Sequence, residues 1–232
     1  MIENSGYPAE LHTVVTEDNY ILGLHRIPTR EPTPKVALLM HGLYCSAAEF
    51  IVTGRSSSLA YFLADNGFDV WLANSRGNEF SKDHKFLASN STPYWNFSFH
   101  EMAKYDLPTV IDHILMTTNQ SALHYVARFL QYDHKHLGNL EVYNQTTPPS
   151  YRLSNVAVRI HFLYGTNDFL ASYFDVEGLM RKFKTSTVGI DKFFGWNHAD
   201  FLIGKEVNTV NRKILGIMNQ YNGVPTEGFV YN

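Results

Sequence analysis

An aspartate and a histidine, each just past an apolar run, are the first residues of this chain that can do chemistry together. Asp168 ends the motif Tyr164-Gly-Thr-Asn-Asp after the run at 156–164, and His198 lies in Trp196-Asn-His-Ala-Asp after the run at 188–194. A carboxylate so placed can hold an imidazole in one tautomer and stabilise its cation, and the imidazole can then act as a general base. Each has a plainer alternative: Asp168 as the N-cap of a following helix, His198 as a hydrogen-bonded surface histidine. A third candidate is His41-Gly42-Leu43, after the apolar run at 36–40. Gly42 lets the backbone approach a ligand, so the Leu43 amide could donate to an oxyanion, although a histidine-glycine pair after a strand is often just a turn. The base also needs a nucleophile, and no Gly-x-Ser-x-Gly occurs anywhere in the chain. Cys45, two residues past Leu43, is an alternative nucleophile only with His198 within about 3 Å and a lowered thiol pKa. Packing as a small apolar side chain is its plainer reading.

These residues need strands to carry them. Residues 11–28 read as two strands around Glu17-Asp-Asn, because Val14, Val15, Tyr20, Ile21 and Leu22 flank a turn-forming cluster. After Pro32 and Pro34, the run at 36–40 suits a strand buried on both faces. Ser56 or Ser57 can cap a helix with Leu59, Phe62 and Leu63 inward, stopped by Asn66-Gly67, and 68–73 is the next strand. From 99 to 116, Met102, Tyr105, Val110, Ile111, Ile114 and Leu115 mark a helix, with Pro108 as a kink and with Asp106 and Asp112 facing solvent or paired. Strands at 123–126, 156–164 and 188–194 and helices at 175–183 and 207–221 complete the pattern. This alternation predicts an α/β fold in a single domain over residues 1–232: a mostly parallel sheet with helices on both faces and an N-terminal antiparallel hairpin. The three candidate segments then fall at the carboxyl ends of strands, where open sheets place their ligands.

The composition narrows the function. With 232 residues, 44% hydrophobic and 14% aromatic, the chain can bury one sizeable core. Nineteen basic against 22 acidic residues leave a net charge of -3 without charge blocks, which argues against a nucleic-acid or anionic-membrane partner. The apolar runs fall far short of the roughly 20 residues of a membrane helix, so a soluble chain without a transmembrane segment is expected. The single cysteine makes no internal disulfide, and the 11 histidines show no zinc-ligand spacing. No metal or other cofactor is expected, and a monomer is. Residues 1–8 carry neither the basic nor the apolar segment of a secretory signal. Yet Asn90-Ser-Thr, Asn96-Phe-Ser, Asn119-Gln-Ser and Asn144-Gln-Thr are four N-glycosylation acceptors, which matter only in a secretory lumen.

A longer set of motifs adds to this reading. Gly6-Tyr-Pro-Ala-Glu, Tyr20-Ile-Leu-Gly-Leu-His-Arg-Ile-Pro, Leu39-Met-His-Gly-Leu, Ser58-Leu-Ala-Tyr and Phe68-Asp-Val-Trp-Leu-Ala-Asn-Ser-Arg-Gly-Asn come first. Glu101-Met, Tyr105-Asp-Leu-Pro, Tyr143-Asn-Gln, Pro148-Pro, Tyr164-Gly-Thr-Asn-Asp and Asn197-His-Ala-Asp-Phe follow. With these motifs in this order, the chain resembles the acid lipase family of α/β-hydrolases, the group that includes the lysosomal and gastric lipases. The acid-before-histidine order agrees with that superfamily. The resemblance implies hydrolysis of carboxylic esters in neutral lipids, triacylglycerols or sterol esters, by a Ser-Asp-His triad without a cofactor. It also implies a secreted or lysosomal location. On this chain Asp168 and His198 match the triad acid and base, and Leu43 matches one oxyanion donor. The departure lies after the strand Leu123-His-Tyr-Val126. The family runs there into Gly-His-Ser-Gln-Gly, whereas this chain continues Ala127-Arg-Phe-Leu-Gln131, with Phe129 in place of the serine. The nucleophile turn, the central strand after it and the cap are then missing, as in an internal deletion. Residues 127–137 are expected to bridge the gap as a short helix with Phe129, Leu130 and Leu137 inward, leaving a six- or seven-strand sheet and a solvated run Asp133-His-Lys-His. Two further readings stand beside the hydrolase: a pseudoenzyme that binds lipid or a protein partner, and a truncated product without a role.

Overall fold

The computed structural model describes residues 1–42, 45–127, 153, 156, 158–183 and 188–222. The chain packs as two compact units, Met1–Phe129 with Leu202–Asn232, and Leu130–Phe201.

In the first unit β1 (Glu10–Val15) and β2 (Tyr20–Ile27) form the expected antiparallel hairpin. Its turn closes locally: the Thr16 hydroxyl donates to Asp18 at 2.7 Å and accepts from the Tyr20 amide at 2.9 Å, while Asn19 adopts the left-handed conformation at φ 74. β3 (Val36–Met40) runs parallel to β4 (Asp69–Ala73) and, on its other side, to β6 (His124–Ala127). β4 pairs antiparallel with β2, and the two-residue β5 (Asp83–His84) adds to β2. The order is β1-β2-β4-β3-β6. The sheet is therefore mixed rather than mostly parallel. A tight turn forces β1 against β2, and β2 runs against β4 as well, while helical crossovers keep β4, β3 and β6 parallel.

Alternation along buried strands builds a core on each face. Ala37, Leu39, Val70 and Leu72 pack with Leu59, Ala60, Tyr61 and Leu63 of the helix Leu59–Asp65 and with Met218 of the helix Val207–Tyr221. Val36, Leu38, Trp71 and Ala73 pack with Tyr20, Leu22, Leu24 and Tyr94 and with Val110 and Ile114 of the helix Leu107–Thr118. Each buried Val, Leu, Ile or Met among them contributes on the order of 1.5–3 kcal/mol, against about 0–1 kcal/mol for an exposed ion pair such as Arg55–Asp65. The two cores, not surface charge, hold this unit. Ser58, rather than Ser56 or Ser57, occupies the N-cap of its helix. The Ser56 and Ser57 carbonyls instead accept from Asn208 at 3.1 Å and Asn211 at 3.0 Å, which ties the closing helix down.

Pro108 acts as the expected break, in a specific form. A capping box at Ser98 and Glu101 starts the helix, which widens into a π turn at Met102–Asp106 before resuming at Leu107. Proline lacks the N–H for a regular bond and crowds the carbonyl four residues back, and one wider turn relieves both. Asp106 is buried and paired, not solvent-facing.

In the second unit β7 (Ile160–Gly165) and β8 (Val188–Phe193) form a parallel pair with the helix Tyr173–Met180 between them in sequence. The expected strand at 156–164 is shorter at its start, and the expected helix at 175–183 begins and ends earlier. β1 to β6 form one six-strand sheet, and among the described residues β7 and β8 pair with each other outside it. The expected bridging helix beyond Ala127, the run at 133–136 and Asn144 lie outside the described residues. Among the described residues no helix is long and apolar enough to cross a membrane.

One buried charge joins three parts of the first unit. The Arg76 side chain, fully buried, donates to Asp18 at 2.5 Å and to Asp106 at 2.6 Å and lies 4.0 Å from the Tyr20 ring centroid. Burial works against the guanidinium charge, but hydrogen bonds to Asp18 and Asp106 carry the Arg76 pKa above its ordinary value. Removing one partner of such a group leaves the others buried and uncompensated. Arg76→Ala is therefore expected to cost about 3–5 kcal/mol, read as a lower urea midpoint; an unchanged midpoint would show the cluster to be dispensable.

Burial also holds His25, His113 and His124 below the ordinary imidazole pKa, with His12 adding to the effect at His113. The unfolded chain then takes up protons before the folded one as pH falls. Stability is expected to be full above the ordinary imidazole pKa of about 6.5 and to decline as pH drops below it, checked by denaturant midpoints at neutral and mildly acidic pH.

Candidate active site

β7 and β8 each end in a loop, and the two loops meet in the second unit. The Thr166 amide donates to the Phe193 carbonyl at 3.0 Å and the Asn167 amide to the Trp196 carbonyl at 3.0 Å. A side chain on Gly165 would run into that Trp196 carbonyl, so only glycine permits the approach. Phe193, Trp196 and Phe201 stack in a triangle with centroids 4.7–5.4 Å apart. The Asn197 amide donates to Asp200 at 2.7 Å and the Ala199 amide to the Asn197 side chain at 2.9 Å, shaping the turn that carries His198.

The result brings Asp168 and His198 together. His198 Nδ1 lies 2.9 Å from Asp168 Oδ2, with the aspartate side chain 6% and the imidazole 29% exposed. An ionised carboxylate only accepts, so Nδ1 carries the proton and Nε2 bears the lone pair. Asp168 Oδ1 accepts from the Leu170 amide at 2.9 Å and the Ala171 amide at 2.8 Å. Both sequence readings of Asp168 therefore hold at once: one oxygen closes a turn before the next helix and the other orients an imidazole.

In the first unit β3 delivers His41 and Gly42 to a loop braced from β4. The Ser75 amide donates to His41 Nε2 at 3.1 Å and Asn78 approaches the same nitrogen at 3.3 Å. Nε2 is thus an acceptor, and Nδ1 donates to the Gly42 carbonyl at 2.8 Å. Asn78 also donates to the Cys45 carbonyl at 2.8 Å, the Ala47 amide to Asn74 at 3.0 Å and the Gly42 amide to Glu49 at 3.3 Å. Asn74, Ser75, Asn78 and Glu49 were not candidates in the sequence, where a polar loop after a strand carries no sign of its acceptors. Leu43, the expected oxyanion donor, lies outside the described residues. Cys45 is exposed, contrary to packing as a small apolar side chain. Ser46 is the expected turn residue, accepting from the Ala48 amide.

The sequence also missed a second pair. His161 Nε2 lies 2.7 Å from Asp191 Oδ2, on neighbouring strands of the β7–β8 sheet. The Gly189 backbone lies so close to this imidazole that any Cβ there would collide with it.

Known lipases resemble this chain. The family model for a partial α/β-hydrolase lipase region matches residues 1–54. The gastric triacylglycerol lipase of Mus musculus is 38% identical over 227 residues, 94% of this chain and 55% of that protein. The chain is similar to acid lipases of the α/β-hydrolase superfamily over nearly its whole length. Two further relatives match over about half of the chain: Lipase 1 of Drosophila melanogaster, 49% identical over 125 residues, and Lipase member K of Mus musculus, 50% identical over 132. They cover 54% of this chain and 28% and 33% of themselves. The chain thus spans about half the length of the gastric lipase and a third or less of the other two. Solved structures share the fold at low identity. An esterase of Pyrococcus furiosus has a TM-score of 0.65 at 12% identity, covering 96% of each chain. An α/β serine hydrolase without lid from Xanthomonas campestris has a TM-score of 0.57 at 12% identity, covering 94% of this chain and 96% of that one.

Asp168→Asn is expected to abolish the downfield Nδ1–H proton resonance of His198 and to cost about 1–3 kcal/mol, since a buried charged acceptor is replaced by a weaker one. A retained resonance would mean that the imidazole is held by other groups.

Proposed function

We propose that this chain derives from a carboxylic-ester hydrolase of neutral lipids, triacylglycerols or sterol esters, and that the 232 residues as they stand do not turn over substrate. The full-length form or a paralogue carries the activity. The observation behind this reading is the hydrogen-bonded Asp168–His198 pair at the ends of adjacent strands, in a sequence that has no Gly-x-Ser-x-Gly. In a complete site His198 Nε2 takes the proton of a serine hydroxyl as that oxygen attacks the ester carbonyl. Asp168 steadies the imidazolium, and the family resemblance assigns the oxyanion donor to Leu43. Without the hydroxyl the imidazole has nothing to deprotonate. Loss of a triad nucleophile costs about 10⁶ in kcat where it has been dissected, and the pair alone does not replace it.

The gastric triacylglycerol lipase of Mus musculus supports lipid esters as the ligand class and a secreted or lysosomal location. Both units then belong to one truncated hydrolase domain, a monomer. A second reading, a pseudoenzyme that binds lipid or a protein partner, is favoured by the exposed apolar side chains Phe169, Leu170 and Phe174 that follow Asp168.

The test compares the chain with His198→Ala and Cys45→Ala on short-chain and long-chain p-nitrophenyl esters. The expected result is no turnover above buffer from a cooperatively melting sample, with saturable binding of a fluorescent fatty acid marking the pseudoenzyme. Turnover abolished by His198→Ala would overturn inactivity, and its loss in Cys45→Ala would identify the thiol as nucleophile. A non-cooperative melt would instead identify a truncated product without a role.

A further inference from the structure

We propose that His12 and His113 form a proton-operated latch between β1 and the helix Leu107–Thr118: the hydrogen bond across their facing nitrogens survives a first added proton, and a second breaks it. Every group in the latch belongs to the first unit, so it rests neither on the hydrolase reading nor on the Asp168–His198 pair.

Three side chains form an unbroken run of hydrogen bonds. His12 Nε2 lies 3.0 Å from Glu10 Oε2, and His12 Nδ1 lies 3.1 Å from His113 Nε2, 101 positions away in the chain. The direction of the run follows from Glu10. The hydrogen bond from His12 holds its carboxyl below the usual carboxylate range, with Arg26 adding to the effect and burial opposing it, so the group is ionised and only accepts. His12 Nε2 therefore carries a proton and Nδ1 keeps the lone pair. His113 Nε2 must then supply the proton in the gap.

The charged groups around the pair are Glu10 from β1, Arg26 from β2 and Asp69 from β4. Arg26 donates to Glu10 at 2.8 Å and to Asp69 at 2.6 Å. Asp112, beside His113 on the helix, is exposed and makes no ion pair with either ring. Both imidazoles also lie against Trp71, with ring centroids 4.6 Å away for His12 and 5.8 Å for His113. The Trp71 indole N–H is buried with no hydrogen-bond partner among the described residues. The latch therefore packs on a buried donor that water would claim if the rings moved apart.

Counting lone pairs gives the two steps. A first proton from water binds His113 Nδ1, and the Nε2–H of the resulting cation still points at the His12 lone pair, now in a charge-assisted bond. The one lone pair left on either ring is then the one in the gap. A second proton must take it, which sets two N–H groups and two positive charges head to head. Burial and the nearby His12 already hold the His113 imidazole below its ordinary pKa.

Position makes the release local. β1 stands at the end of the strand order, hydrogen-bonded to β2, and Glu10, Leu11 and Thr13 along it are exposed. The helix keeps its own hold on the core through Val110 and Ile114, which are fully buried. Opening the pair thus loosens one edge of the first unit in acid while the rest of that unit stays folded.

The test is a histidine-selective NMR titration of the whole chain beside His12→Asn and His113→Phe. Asparagine keeps an acceptor near the place of Nδ1 and phenylalanine keeps a ring on Trp71, while neither takes up a proton. The expected result for the unsubstituted chain is two coupled steps about one pH unit or more apart. Amide exchange in β1, corrected for its intrinsic pH dependence, is expected to rise about tenfold across the lower step and not across the upper one. In each variant the remaining imidazole titrates in a single step and the acid-linked rise is lost. Independent single steps for both rings of the unsubstituted chain overturn the coupled pair, and an equal acid-linked rise in the chain and both variants overturns the latch. If a variant fails to fold, the unsubstituted chain decides alone, its two ring signals being identified by cross-relaxation with the Trp71 ring.

Discussion

The Arg76 guanidinium is the constraint on which the first unit turns. It is out of water, so every donor must be satisfied, and the groups that satisfy it come from distant parts of the chain: Asp18 at the hairpin turn and Asp106 at the π turn before Leu107. Tyr20 covers one face of it. The loop that holds Arg76 also holds Asn74, Ser75 and Asn78, which brace the His41-Gly42 segment through the Ala47 amide, His41 Nε2 and the Cys45 carbonyl. A buried charge and the His41-Gly42 segment are thus parts of one hydrogen-bonded framework. The π turn is part of the same solution, because it accommodates Pro108 while Asp106 stays aimed at the guanidinium.

In the second unit the corresponding economy is at Asp168. One carboxylate satisfies two amides of its own turn and an imidazole across the loop, so its burial leaves neither oxygen without a partner. Such a pair is not by itself catalytic: His161 and Asp191 make a comparable one inside the β7–β8 sheet, with no loop at a strand end and no motif around it. What separates the two is position. Asp168 and His198 stand past the carboxyl ends of parallel strands, where an α/β-hydrolase collects its chemistry, and His161 stands within a strand. Position at the strand ends therefore distinguishes the two pairs better than the hydrogen bond does.

Much of this molecule was legible in the residues themselves. The Glu17-Asp-Asn turn, the apolar run at β3 and the closing helix at Val207–Tyr221 follow from local turn chemistry and periodicity, and they stand where those signals put them. The motifs around His41, Asp168 and His198 likewise carried the family resemblance, because a short motif needs only adjacent residues. The tertiary structure decided the rest. That β2 pairs with β4 as well as β1, that Asp106 faces a buried arginine rather than solvent, and that Cys45 is exposed depend on residues dozens of positions away. His41 as an acceptor for Ser75, and the His161–Asp191 pair, have no local signal either, since each is made by strands that meet only on folding. Sequence alone determines what each segment is able to form; which partner satisfies each buried polar group is settled only when distant segments are brought out of water together.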